Sequence, residues 1–277
     1  MQNAGIAALG LDWRYVAFDV WPEQLREAIA GAKAMGFVGL NLTVPHKLLA
    51  VDLVDDCDES ARTWGAVNTI RFEAQDAAGR WQPVWRLKER PGTVRARGFN
   101  TDADAITRAL EEDLLVSLAG ASVLLLGAGG AGRTAALKLA SAGVTSLHLI
   151  NRTVARAEAV AAEIRQRWPG VAVTVGYPSG TVDVLVNATS LGLKRDDPLP
   201  LDTGAFPLGR AGAVYDMIYR PAETPLLAAA KAAGCRVANG LGMLLYQGAR
   251  ALEIWSDRVA PVDVMRRALE ESVYGAR

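Results

Sequence analysis

Ala121-Ser122-Val123-Leu124-Leu125-Leu126-Gly127-Ala128-Gly129-Gly130-Ala131-Gly132-Arg133 runs a short apolar segment into three spaced glycines. The apolar run reads as a buried strand, and the residues from Thr134 to Ala142 have a helical pattern. Each glycine has a physical reason in a strand–turn–helix unit. Gly127 permits the tight turn, Gly129 lets the backbone approach a pyrophosphate, and Gly132 lets helix and strand pack closely. With Ala128, Gly130 and Ala131 between them, the N–H groups of the first helical turn are placed to face phosphates. A second strand, Ser146 to Ile150, arrives at the distance a βαβ unit needs. The stretch therefore reads as a dinucleotide-binding turn in a Rossmann-type, doubly wound α/β domain.

The residues after that second strand indicate which dinucleotide. A site for NAD wants a carboxylate there, to accept hydrogen bonds from the ribose hydroxyls. This chain has Asn151-Arg152-Thr153, with Arg156 one helical step on and no acid before Glu158. Guanidinium groups and small polar donors suit a 2′-phosphate. Arginine is a poor partner for a helix N-terminus unless an anion sits beside it. NADP is the expected cofactor.

The remaining composition narrows the class. The chain has 277 residues, 51% hydrophobic and 22% charged, which suits an ordinary globular protein of two domains or one large one. Its 30 basic and 30 acidic residues balance, which argues against a nucleic-acid partner or an anionic membrane surface. No apolar run approaches a membrane span and the first 20 residues lack a signal-peptide pattern, so a cytoplasmic location is expected. Cys57 and Cys235 read as buried free thiols. His46 and His148 are too few for a metal cluster, and no metal site is expected; His148, alternating with Leu147 and Leu149, reads as structural.

Read in order, Asn3 to Leu9 has helical spacing, Trp13 to Val20 reads as a strand, and Pro22 opens a helix through Met35. Phe37 to Val44 reads as a second strand, so that strands alternating with helices predict parallel βαβ units. Val67 to Phe72 is a further strand, followed by a polar tract, Glu73 to Arg97, read as an extended hairpin or surface loop. Asp104 to Leu118 is helical. Val171–Val175, Val182–Asn187 and Ala213–Tyr215 are further strands of the nucleotide domain. Glu223 to Ala233 reads as a helix, Arg236 to Asn239 as a strand, and Met243 to Trp255 as a long helix.

Outside the nucleotide domain, Asn41-Leu42-Thr43-Val44-Pro45-His46-Lys47 sets Asn41 and Thr43 on one strand face, with Lys47 just past the strand's end. Gly65-Ala66-Val67-Asn68-Thr69 and Gly98-Phe99-Asn100-Thr101-Asp102 are two more turn-like clusters. Each alone also reads as Asx turns, a helix cap at Asp102 or a surface lysine. Taken with G-A-G-G-A-G, N-R-T, Asn187-Ala188-Thr189-Ser190-Leu191-Gly192 and the C-terminal G-L-G-M-L-L-Y-Q-G-A, the set resembles the shikimate dehydrogenase family, in family order from about residue 3 onwards.

That resemblance implies two α/β domains with a cleft between them: a substrate domain (1–103, completed by C-terminal helices at 240–277) and an NADP domain (104–239). It implies NADP-linked, reversible oxidation of the shikimate 3-hydroxyl in aromatic amino-acid biosynthesis. Lys47 and Asp102 become the catalytic pair at the reacting hydroxyl. The chemistry is sensible, since hydride transfer requires the hydroxyl proton to leave as well; which residue takes it stays open. Asn41, Thr43, Asn68 and Gln247 become partners of the ring hydroxyls, and Tyr219 lies near the carboxylate. Met217 and Gly240 line the nicotinamide, with Thr189 and Ser190 at the cofactor edge. A homodimer is admitted by the sequence without being required.

The chain departs from the family at its start. The family's first strand and its G-x-P-x-x-x-S-x-S-P segment, whose serines bind the carboxylate, precede the position matching Met1-Gln2-Asn3. Without them, unpaired backbone and uncovered apolar side chains are expected beside Trp13–Val20 and Phe37–Val44, and weaker substrate affinity. A longer native chain is the favoured explanation; the alternatives are a weak or inactive NADP-binding homologue and a substrate lacking the carboxylate. A quinate/shikimate enzyme is a further alternative. Ala103 and Ala105 stand where the family has glycines.

Overall fold

The computed structural model describes residues 1–87, 92–194 and 196–275. The chain forms two compact units, one made of Met1–Asp102 and Gln247–Ser272, the other of Ala103–Tyr246 and Val273–Gly275.

The first unit contains α1 (Gln2–Ala8), a 3₁₀ turn at Pro22–Gln24 leading into α2 (Leu25–Ala34), β1 (Gly39–Asn41), α3 (His46–Leu49), β2 (Asp56–Cys57), α4 (Glu59–Trp64), β3 (Thr69–Gln75), β4 (Trp81–Pro83) and β5 (Val94–Phe99). The sheet order is β1-β3-β5-β2, with β4 paired to β3. Helix α2 buries Leu25, Ile29 and Ala32, at the spacing of one helical face, against Ile70 and Phe72 of β3 and Ala96 of β5. A second cluster joins Phe99 to Ala251, Ile254 and Trp255 of the C-terminal segment, with Trp13 and Tyr15 packed on it. Each large apolar side chain fully buried in this way contributes about 1.5–3 kcal/mol. Registers Asn41↔Thr69 and Thr69↔Phe99 line up the ends of β1 and β5 with the start of β3. Three separate sequence clusters thereby reach one edge of the sheet.

Several expectations for this unit need correction. Trp13–Val20 forms no strand: the backbone of Tyr15 bonds instead to the Asn3 side chain, N–H to Oδ1 at 2.8 Å and carbonyl to Nδ2 at 2.9 Å. Trp13 and Tyr15 are half-buried, while residues 16 to 19 are all exposed. Phe37–Val44 shortens to β1, because the chain turns at Thr43, whose carbonyl accepts the His46 N–H. The sheet is not built of parallel βαβ units. β3 is antiparallel to β1, β4 and β5, and only β2–β5 is parallel. The polar tract is the cause: β3 and β4 form a hairpin around Asp76, and the chain returns as β5 directly beside β3. Residues 88–91 of that tract lie outside the described residues. The extended hairpin read for the tract's start is thus present, and Glu73 within it is 1% exposed and clamped by Arg71 and Arg95.

The second unit opens with α5 (Asp102–Leu114), whose first residue belongs to the first unit. It continues with β6 (Ser122–Leu126), α6 (Gly130–Ser141), β7 (Ser146–Ile150), α7 (Val154–Arg167), β8 (Ala172–Val175), β9 (Val182–Asn187), β10 (Ala211–Asp216), α8 (Pro225–Ala232), β11 (Arg236–Asn239) and α9 (Leu241–Ser256). Helix α10 (Val262–Tyr274) closes the chain. The six strands are all parallel, in the order β8-β7-β6-β9-β10-β11. This is the doubly wound arrangement, and its order reverses between β6 and β9, where such sheets bind ligands. The return to the first unit, expected at 240, falls at Gln247 inside α9. The first turns of α9 pack on the second unit, where Tyr246 donates to Glu112 at 2.7 Å.

Asp55 fastens α2 to β5 by accepting from Lys33 Nζ and the Ala96 N–H, both at 2.6 Å. Partial burial pushes its carboxyl up, but Lys33 and the Ala96 N–H outweigh that and hold it below the usual range. A depressed carboxyl stabilises the fold above its unfolded pKa and loses that contribution as pH falls through its folded pKa. The Tm of wild type is therefore expected to drop more steeply on acidification than that of Asp55→Asn, with the curves converging at low pH; parallel curves in pH-resolved melts would refute this.

Candidate active site

The sheet edge of the first unit gathers Asn41, Lys47, Asn68 and Asp102. Lys47 Nζ donates to Asp102 Oδ2 at 2.7 Å, and both side chains keep partial exposure, 26% and 17%. Asn68 Nδ2 donates to the other carboxylate oxygen, Oδ1, at 2.9 Å. The orientation of that amide is fixed, because Asn68 Oδ1 accepts the Thr101 backbone N–H at 2.8 Å. Asn41 is fixed in the same way: its Nδ2 donates to the Asn68 carbonyl at 3.2 Å and to Thr69 Oγ1 at 3.0 Å. Its Oδ1 therefore faces Tyr15, whose hydroxyl donates at 3.1 Å; burial pushes the Tyr15 phenol up, keeping it a donor. Asp102 is more than a helix cap, since both its oxygens are engaged by side chains of distant segments. Thr43 stands apart, exposed after β1. Gln247 is half-buried where α9 enters this unit.

The reading of the sequence missed Tyr15, Thr69 and Thr101 as members of this network. Thr69 and Thr101 lie inside the clusters that drew attention to Asn68 and Asp102. Tyr15 carried no local signal, because its partner is 26 residues away and the link is side chain to side chain.

In the second unit, the glycine turn has the geometry its spacing predicts. Gly127 has φ +103°, and its N–H donates to the Ile150 carbonyl at 2.7 Å. A methyl built on Gly132 would run into the Gly127 carbonyl, so the missing side chain is what lets α6 approach β6. Gly129, Gly130 and Ala131 are exposed, α6 has no acid in its first turn, and nothing lies within 4 Å of where a Gly129 Cβ would stand. Asn151 Oδ1 accepts the Ala128 N–H at 2.9 Å, tying the turn to the end of β7. Arg152, Thr153 and Arg156 are exposed at the start of α7, which also lacks an acid in its first turn; neither arginine has a carboxylate partner among the described residues. These residues fit an adenosine 2′-phosphate and a pyrophosphate.

Further along the same sheet edge, Thr189 is half-buried and Ser190 exposed after β9. Met217 is half-buried after β10, and Tyr219 is 37% exposed. Gly240 packs so closely on the Met217 carbonyl that no Cβ would fit. His148 bonds Thr174 of the neighbouring strand at 2.7 Å, and burial pushes its imidazole down, as a structural residue. No helix among the described residues is long and apolar enough to cross a membrane, and no three metal-ligating side chains among them come together.

A six-stranded parallel sheet with this turn, joined to a unit carrying a lysine–aspartate pair, defines a two-domain α/β protein of the dinucleotide-binding class. Residues 1–70 match the shikimate dehydrogenase substrate binding domain, 109–190 the shikimate/quinate 5-dehydrogenase family, and 240–270 the shikimate 5′-dehydrogenase C-terminal domain. The NADP(+) shikimate dehydrogenase of Methanopyrus kandleri is 38% identical over 98% of this chain and 89% of its own length. The Thermus thermophilus shikimate 5-dehydrogenase, solved with NADP(H) and shikimate, superposes with a TM-score of 0.77 at 33% identity, covering 98% and 92% of the two chains. The 5-ketofructose reductase of a Gluconobacter species reaches 0.80 at 35% identity, covering 98% and 92%. The chain belongs to the shikimate dehydrogenase family.

The packing at the turn makes two glycines respond differently to the same change. Gly132→Ala is expected to destabilise the fold by about 1–3 kcal/mol through overpacking against Gly127. Gly129→Ala, which meets open space, is expected to keep the wild-type Tm. Equal losses in thermal melts would contradict the assigned close approach.

Proposed function

We propose that the chain is an NADP-dependent shikimate dehydrogenase, interconverting shikimate and 3-dehydroshikimate. The observation that supports it best is the Lys47–Asp102 pair, 2.7 Å apart and open to solvent, set among amides and hydroxyls. NADP, when bound, supplies the hydride acceptor at its nicotinamide ring. Oxidation breaks the C3–H and O–H bonds and forms the C=O bond; the proton passes to the Lys47–Asp102 pair, and reduction reverses each transfer. Asn68 holds the Asp102 carboxylate in one orientation, so the pair is arranged before substrate arrives. Asn41, Thr43, Asn68 and Gln247 offer the amide and hydroxyl groups that ring hydroxyls require, and Tyr219 is assigned to the carboxylate.

On the cofactor side, Gly127 to Gly132 take the pyrophosphate, and Asn151, Arg152, Thr153 and Arg156 take the 2′-phosphate. Thr189, Ser190, Met217 and Gly240 line the nicotinamide half.

A second reading, reduction of a neutral polyhydroxy ketone, draws support from the likeness to the 5-ketofructose reductase and from the neutral donors around the pair.

Shikimate oxidation followed by NADPH absorbance tests the first reading, with quinate and 5-ketofructose run alongside. Turnover of shikimate is expected, with Lys47→Ala and Asp102→Ala each lowering kcat by about 10²–10⁴; unaltered kcat in both variants would remove the pair from the mechanism. Turnover of 5-ketofructose alone would shift the assignment to the second reading. Removing Arg152 and Arg156 together is expected to raise KM for NADP by about 10²-fold or more, from the loss of two charge-assisted bonds worth about 1.5–3 kcal/mol each, while KM for shikimate and for NAD stays put. A matching rise with NAD would show that these arginines do not read the 2′-phosphate.

A further inference from the structure

Asp216 ends β10 with its side chain wholly buried, and nothing in the mechanism above uses it. No cation pairs with it among the described residues. Its Oδ1 accepts from Asn187 Nδ2 at 2.9 Å and from the Ile218 N–H at 3.1 Å; its Oδ2 accepts from Thr224 Oγ1 at 2.6 Å. A buried carboxyl held only by neutral donors is costly unless each bond is kept.

The three donors lead to separate loops. Asn187, directly opposite Asp216 in the sheet, turns its Oδ1 to the Thr189 N–H at 3.0 Å and the Thr189 hydroxyl at 2.8 Å. Because Oδ1 takes a backbone N–H, the amide has one orientation, and Nδ2 must face Asp216. Ile218 stands between Met217 and Tyr219, and its carbonyl accepts the Gly240 N–H at 3.2 Å. Thr224 is the N-cap of α8, its hydroxyl also accepting the Leu227 N–H at 3.3 Å. The Met217 N–H closes the circuit on the Asn187 carbonyl at 2.9 Å.

We propose that Asp216 is a positioning residue that sets Thr189, Met217 and Gly240 in register, and so fixes where the nicotinamide half of the cofactor lies. This rests on the reading that those residues face the nicotinamide. The adenosine half, at Gly129 and Arg152, lies on the other side of the strand-order reversal and hangs on none of these bonds.

The test separates the two halves of the cofactor. NADPH binding is followed by nicotinamide fluorescence, and 2′,5′-ADP, which lacks the nicotinamide, is titrated as competitor and alone. Wild type and Thr224→Ser, which keeps the hydroxyl, are expected to show the fluorescence response of a held nicotinamide. Asp216→Asn and Thr224→Val are expected to keep wild-type affinity for 2′,5′-ADP while losing that response. Where shikimate is turned over, their kcat is expected to fall by as much as about 10²-fold, the scale of a small misplacement, with KM for shikimate unchanged. Should Asp216→Asn not fold, Thr224→Val decides. An unchanged response and kcat in the variants, or a parallel loss of 2′,5′-ADP binding, would reduce Asp216 to a structural group and overturn the proposal. If wild type holds the nicotinamide and the variants lose it, yet no shikimate is oxidised, the clamp stands and the proposed activity falls.

Discussion

The carbonyl of Gly127 occupies the space that any side chain at position 132 would need. That single close approach sets how α6 lies on β6, and with it where the first N–H groups of the helix point. Those groups have no partner within their own helix, and here they emerge at the one place where the strand order reverses. The turn also fits its neighbours closely. Gly127 adopts a conformation that L side chains avoid, and a Cβ there would meet Ala188 after β9 at 2.9 Å. Asn151 then holds the Ala128 N–H from the end of β7. Three strands are thereby tied to one turn by contacts that leave no room for a methyl group, which is why glycine is needed at two positions and merely convenient at others.

The first unit reaches order by a different route. Its sheet edge has no glycine turn but a chain of hydrogen bonds in which each amide is oriented by a backbone group that can play only one role. The Thr101 N–H fixes Asn68, and the Asn68 carbonyl fixes Asn41. The donors then run in one direction towards Asp102, which receives Asn68 on one oxygen and Lys47 on the other. An array of this kind resists rearrangement, since turning any one amide would leave two groups unpaired at about 1–3 kcal/mol each. It also ties the catalytic assignment to the sheet register, because Asn41, Thr69 and Phe99 must align before Asn68 and Asp102 can meet.

These two routes explain how far the sequence could be read. Strands of a parallel sheet are short runs bounded by turn residues, and β7, β9 and β11 have the boundaries read from the sequence, although of the three only β9 is buried along most of its length. The antiparallel unit was harder. Period-two alternation reports which side chains face the core, and it cannot tell whether the backbone has a neighbour. Trp13–Val20 turns Trp13 and Tyr15 inward, leaves residues 16 to 19 exposed and pairs with no strand. Glu73 was hidden for a related reason, since a carboxylate ringed by arginines is indistinguishable in sequence from a solvated one. In the site, Asn41, Lys47, Asn68 and Asp102 stood out only as a set, because they come from three separate segments. Tyr15, whose single link is a side-chain bond across that set, could not be seen at all.

Charge is handled differently at the two sites, and the difference bears on what each can recognise. Most arginines in the first unit already face acids: Glu73 takes Arg71 and Arg95, and Asp257 takes Arg71 and Arg86. Lys47, too, has its carboxylate. A neutral alcohol can approach such a pair without an uncompensated charge appearing, whereas a proton added to the pair would neutralise the carboxylate and leave one net positive charge. Arg152 and Arg156 have no such partner among the described residues, and they stand at the start of α7 where the helix dipole is already positive. Two cations so placed repel both the dipole and one another, and an incoming phosphate relieves all of that at once. Among the described residues, unmatched positive charge thus gathers at the start of α7, whereas the lysine of the first unit's sheet edge is already matched by Asp102.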